Sequence, residues 1–166
     1  EDGSAGSIDL IKRGLRADGA IVGEPTNFDL CLGHKGLEWL EFSFQGDEAH
    51  GGSQAGNRNA IRMAGLFIAW CERELLPRLE RRTHPLLGSA SMNYGFIHGG
   101  FQPSTVAGEC ILQVDRRWLP EEDYDAVLSE YAMLLRSLAE EEPGFKASMK
   151  VMEASRMEEG YIHAWS

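Results

Sequence analysis

Ala49-His50-Gly51-Gly52-Ser53-Gln54-Ala55-Gly56-Asn57-Arg58-Asn59-Ala60-Ile61 joins a strand to a helix, and both neighbours can be read from their periods. Upstream, Leu40, Phe42 and Phe44 alternate with Glu41, Ser43 and Gln45, which predicts a strand over 36–45 with one buried face. Downstream, Ile61, Ala64, Ile68, Cys71 and Leu75 recur at steps of three and four, a helical spacing that Pro77 ends or kinks. Glycines on the intervening turn let backbone approach a ligand, the free N–H groups of a helix start favour an anion, and a histidine can donate or titrate near neutral pH. A glycine-rich turn before a helix also serves purely as a turn, so the surrounding elements must decide.

Strand patterns return at 91–98, with Met92, Tyr94 and Phe96 on one face, and at 107–117, where Cys110, Leu112 and Val114 oppose Ile111, Gln113 and Asp115. The charged run Arg78–Arg82 ahead of them reads as a solvated helix end. Pro120 followed by Glu121, Glu122 and Asp123 marks a second helix, with proline in the first turn and carboxylates at the positive dipole end. Tyr124, Val127, Tyr131, Leu134 and Leu138 carry it to the stop at Pro143-Gly144, and Ala147, Met149 and Val151 mark a fourth strand. The order strand, helix, strand, strand, helix, strand predicts an α+β fold of the ferredoxin-like β-α-β-β-α-β kind, an antiparallel sheet with two helices on one face. Its open edge strand or an exposed helix invites a second copy, so a homodimer is expected.

Residues 1–33 differ in character. Ser7 would cap a short helix from Ile8 to Leu15 that stops near Gly14, and Ala20-Ile21-Val22-Gly23 fits a buried strand ended by Pro25. One helix and one strand look like a piece of a larger α/β domain. The chain begins at Glu1 with neither an initiator Met nor a signal peptide, as a fragment would. A length of 166 residues suffices for one core, and 43% hydrophobic with 25% charged residues is ordinary for a soluble protein. The net charge of −10 argues against nucleic acid or an anionic membrane as partner, and no apolar run is long enough to span a bilayer. Cys31, Cys71 and Cys110 are sparse and unpaired in spacing, which reads as reduced thiols in the cytoplasm.

Several short motifs occur in one order: Glu1-Asp2-Gly3-Ser4-Ala5-Gly6, Gly23-Glu24-Pro25-Thr26, His34-Lys35-Gly36, His50 with Asn59-Ala60-Ile61 nine residues on, Gly99-Gly100, and Asp115-x-Arg117-x-x-Pro120. Together they resemble the zinc-dependent amidohydrolase family of acetylornithine deacetylase, succinyl-diaminopimelate desuccinylase, carboxypeptidase G and aminoacylase. The resemblance implies a two-zinc catalytic domain, with cobalt or manganese as possible substitutes, interrupted by a lid that dimerises. It implies that residues 1–33 belong to the catalytic domain, 34–153 to the lid and 154–166 to the return segment. Glu24 and Glu1 resemble carboxylates that each bind one metal ion, and carboxylate oxygens are suitable zinc donors. His50 resembles the lid histidine that reaches the partner subunit's site and stabilises the oxyanion. Arg117 resembles the arginine that grips the substrate carboxylate, a task suited to its bidentate fork. Ser104 stands where the family usually has a substrate-binding asparagine and can still donate a hydrogen bond with shorter reach, while Gln54, Asn57 and Ala107 also depart from the common residues.

From the residues alone other readings stay open: Glu24 as a turn cap, and Arg117 as an ion-pair partner of Asp115 or Glu121. Trp39, Trp70 and Trp118 read as packing residues. The function the resemblance implies is amide cleavage of N-acyl amino acids or small peptides by the full-length protein, this span alone being inactive. The rival is a non-catalytic ferredoxin-like module that binds an amino acid or assembles a regulatory dimer.

Overall fold

The structure is a computed structural model that describes residues 5–19, 21, 23, 25–52 and 58–152. In chain order its elements are α1 (Ala5–Lys12), β1 (Gly36–Gln45), β2 (Ala49–His50), α2 (Ala60–Trp70), a π-helical turn (Cys71–Leu75), α3 (Leu76–Arg81), β3 (Thr83–His84), β4 (Gly88–Ser89), β5 (Ser91–Gly99), β6 (Thr105–Val106), β7 (Glu109–Trp118), α4 (Tyr124–Glu141) and β8 (Ala147–Val151).

The alternating residues that predict the strands also set the layers. Leu40, Phe42 and Phe44 of β1 and Cys110, Leu112 and Val114 of β7 are all at most 2% exposed. They pack with Ala64 and Phe67 of α2 and with Val127, Tyr131, Leu134 and Leu138 of α4, so both helices cover the same face. Phe42 lies between the rings of Phe67 and Tyr131, with centroids 4.4 and 5.5 Å away. Four strands form one antiparallel sheet in the order β5-β7-β1-β8. Gly36 sits opposite Trp118 at one end of the β1–β7 ladder and Gln45 opposite Glu109 at the other. A Cβ on Gly36 would lie 2.2 Å from the Trp118 ring, so glycine is needed where that ring closes the core. The α+β class, the four strands and the two helix positions agree with the sequence reading.

Local details correct it. The helix does not stop at Pro77 but runs to Arg81. Proline has no N–H to give and crowds the carbonyl four residues back; the widened turn, in which Leu76 N–H reaches the Cys71 carbonyl, lets the helix pass it. Arg82 is no solvated end, because its guanidinium pairs with Glu122 and Glu130. A bulge between Tyr94 and Phe96 shifts the β5 register, so Phe96 lies opposite Gln113 and leaves the face that Tyr94 shares with Val114. Helix α4 starts at Tyr124, with Asp123 as its cap, so Pro120 precedes the helix. Helix α1 starts before Ser7, which lies inside it. Ile21 is fully exposed and in no strand, since no neighbouring strand among the described residues offers it a ladder.

Candidate functional site

His50 ends a two-residue ribbon in which Ala49 faces Val106 and His50 faces Thr105. Gly51 N–H donates to the Ser104 carbonyl at 2.7 Å, which brings the His50 and Ser104 positions together. Both residues are exposed. Gly52 N–H donates to His50 Nδ1 at 3.1 Å. With Nδ1 accepting, the neutral ring carries its proton on Nε2, where it is a donor.

The feet of this loop are pinned to the sheet. Gly46 N–H reaches the Gly108 carbonyl at 2.8 Å, Asp47 N–H the Arg58 carbonyl at 2.8 Å, and Ala60 N–H the Ala107 carbonyl at 2.9 Å. Asp47 and Arg58 add an ion pair at 2.5 Å. Gly46 fits this crossing because a Cβ would stand 2.1 Å from the Arg58 carbonyl oxygen and 2.5 Å from that of Ala107. Asn59 caps α2, its side-chain oxygen accepting from Arg62 N–H at 3.1 Å. The asparagine of the His50 motif therefore has a structural task, and its position before an apolar helical run is the signal that reveals it.

Arg117 lies on the sheet face opposite the one that α2 and α4 cover. Its Nε and Nη2 donate to the two oxygens of Asp115 at 2.6 and 2.8 Å, the pairing that the sequence leaves open. Trp39 Nε1 donates to the same carboxylate at 3.3 Å, so Trp39 orients a charged group instead of serving only as packing. Asp115 occupies the side-on edge of the guanidinium and leaves the Nη1–Nη2 edge for a second carboxylate. Glu41 extends this polar face: Lys150 Nζ lies 2.8 Å from it and Gln113 donates to it at 2.8 Å, which together hold its carboxyl below its ordinary value.

The two clusters lie at opposite ends of β7. His50 and Ser104 flank its Glu109 end, and at about 3.3 Å per residue Arg117 is about 26 Å along the strand from Glu109. Two hollows, of about 210 and 410 Å³, flank the Gly99–Pro103 turn, and neither is lined by His50, Ser104 or Arg117.

Under Arg117, the neighbouring Arg116 points into the core with 0% exposure. Its Nη1 donates to the Arg117 carbonyl and its Nη2 to Glu122 at 2.6 Å. Glu122 also accepts from Leu119 N–H at 2.8 Å and from Arg82 at 2.8 Å. Burial alone would raise the Glu122 carboxyl, but the Leu119 N–H and the Arg116 and Arg82 cations outweigh it, and the group is held below its ordinary value. The sequence reading overlooked Arg116; the signal was an arginine in phase with Cys110, Leu112 and Val114 on the buried side of β7.

Glu24 and Glu1, the expected metal ligands, lie outside the described residues. Among the described residues no group of three or more His, Cys, Asp or Glu side chains could hold a metal ion.

Residues 32–143, more than half of the chain, match the peptidase dimerisation domain of the M20 family, and the chain belongs to that family. Over 161 residues it is 30% identical to acetylornithine deacetylase of Myxococcus xanthus, covering 94% of this chain and 42% of that protein. Over 122 residues it is 34% identical to acetylornithine deacetylase of Pectobacterium carotovorum, covering 70% of this chain and 32% of that protein. The chain thus spans less than half the length of either relative. An aminobenzoyl-glutamate utilization protein from Klebsiella pneumoniae shares the fold, with a TM-score of 0.56 at 19% identity over 74% of this chain and 30% of the other. No helix among the described residues is long and apolar enough to cross a membrane.

Proposed function

We propose that this chain is the lid and dimerisation span of a hydrolase that cleaves the amide of an N-acyl amino acid, working as a homodimer in the cytoplasm. The sheet order and the two helices on one face support a ferredoxin-like lid over residues 34–153. Leu10, Ile11, Leu15, Ile21 and Leu30 are all more than half exposed, which fits a segment 1–33 that packs against a catalytic domain. In that domain Glu24 and Glu1 are the proposed ligands of two zinc ions, the other ligands coming from outside this span. Acetylornithine deacetylases among the relatives favour an acetyl group and an amino-acid carboxylate on the substrate.

The observation that carries this reading is the separation of the His50 and Arg117 clusters along β7. About 26 Å is several times the length of an N-acyl amino acid, so one chain cannot present both groups to one substrate. Two copies related by a twofold axis can, because each site then takes one cluster from each protomer. His50 Nε2–H donates to the oxygen that gains charge as the amide carbon becomes tetrahedral. Arg117 takes the substrate carboxylate on its Nη1–Nη2 edge, while Asp115 and Trp39 fix the other edge. Ser104 lines the histidine's side of the site. A zinc titration with an N-acetyl amino-acid hydrolysis assay tests the reading. The 166-residue chain is expected to show no turnover, and the protein extended on both sides to turn over; turnover by the 166 residues alone refutes the proposal.

A further inference from the structure

Arg117 has a neighbour that fixes its backbone from inside the protein. Arg116 is fully buried, and its guanidinium holds the Arg117 carbonyl with one nitrogen and the Glu122 carboxylate with another. Glu122 turns back to take Leu119 N–H, so a single carboxylate ties the end of β7 to the turn that leads into α4. Arg82 joins Glu122 at 2.8 Å and is itself held by Glu130, which lies 3.9 Å from Arg116. Arg116 Nε has no hydrogen-bond partner among the described residues. A buried cation with an unmatched N–H is a poor way to stabilise a strand, since apolar groups of similar volume are often no worse. What the charge contributes is direction: hydrogen bonds fix the backbone at Arg117, where apolar packing would leave it to slide.

We infer that Arg116 and Glu122 are positioning residues that aim Arg117 at the substrate carboxylate. The inference rests on the proposed role of Arg117 as the carboxylate-binding group. Arg117 and Arg116 point to opposite faces of one strand, so a change in the buried pair reaches the open face only through the backbone they share. Glu130 is the nearest control: it braces Arg82 and stands 3.9 Å from Arg116, but it makes no hydrogen bond to the Arg117 backbone or the Leu119 turn.

The test compares Glu122→Gln, Arg116→Lys and Glu130→Gln in the full-length metal-loaded protein, on an N-acetyl amino acid and on the matching amino-acid amide, which lacks the carboxylate. Arg117→Ala sets the scale and is expected to raise KM for the acid at least tenfold, a loss several times larger than its loss on the amide. Glu122→Gln and Arg116→Lys are expected to raise KM for the acid about three- to tenfold with kcat and the amide nearly unchanged, and Glu130→Gln to melt earlier with wild-type selectivity. Wild-type selectivity in the two positioning variants, or equal loss in all three, overturns the inference. Should Arg117→Ala lack carboxylate selectivity, the substrate reading fails. The positioning inference is then decided by NMR relaxation of the Arg117 Nε–H in the 166-residue chain. Greater motion in Glu122→Gln but not in Glu130→Gln supports it, and unchanged motion overturns it.

Discussion

His50 and Arg117 illustrate two ways in which a side chain on a surface is held ready. The histidine is oriented by a backbone N–H two residues away, and the arginine by a carboxylate two residues away on the same strand. Both spacings are visible in the sequence, but only the Asp115 pairing could be anticipated, because a turn that bends Gly52 back onto a ring has no periodic signal. The cysteines separate more simply. Cys31 is exposed, whereas Cys71 and Cys110 are buried. Burial pushes the Cys71 thiol up to about 12, and the neighbouring Glu72 carboxylate adds to the rise. Since the thiolate is the reactive form, a chromogenic disulfide reagent at pH 8 should label one cysteine promptly and the other two only after denaturation. Fast labelling of Cys71 in the native protein would show that its core position is wrong.

At the scale of elements, the strands and helices are legible because their apolar residues keep step with the backbone, at two for β1 and β7 and at three to four for α2 and α4. What escapes that arithmetic is set by single contacts. The π-helical turn before Pro77, the bulge at Gly95 and the late start of α4 all follow from where a proline, a glycine or a glutamate finds room or a partner. Two glycines make a paired test. Gly46→Ala should cost about 3 kcal/mol, because the new methyl meets two carbonyl oxygens that belong to the feet of the His50 loop. Gly65→Ala, in an exposed turn of α2 with nothing within 4 Å, should stabilise by about 0.5–1 kcal/mol. Urea midpoints measure both, and equal effects would contradict the packing at Gly46.

Glu122 gives the element scale a pH dependence. Its folded carboxyl sits below the ordinary value of 4.5, so the native state favours the ionised form. That stability is present above 4.5 and disappears as pH falls through the lower folded value. Glu122→Gln should therefore be less stable than wild type at pH 7, and the gap should close on acidification below 4.5. Urea melts between pH 7 and pH 3 check this; a gap that stays constant would mean that the carboxylate charge does not matter at this turn. The sequence concealed the arrangement because Glu122 reads most simply as a carboxylate at a helix start, and only the buried Arg116 draws it inward.

For the whole molecule, the strand order distributes the candidate site. The motifs allowed His50, Ser104 and Arg117 to be named from the sequence, but not the distance between them, which depends on the ten-residue length of β7 and on the His50 ribbon lying at its Glu109 end. That distance is why the proposed active site is shared between two copies. Full-length His50→Ala and Arg117→Ala proteins, each strongly impaired on the N-acetyl amino acid at concentrations well below KM, should therefore complement when unfolded together, mixed equally and refolded. Half of the dimers formed at random are mixed, and each mixed dimer holds one site with both groups intact, so activity should return to about one quarter of wild type. If the mixture stays as inactive as its two components, His50 and Arg117 do not meet across a dimer, and the shared site does not exist.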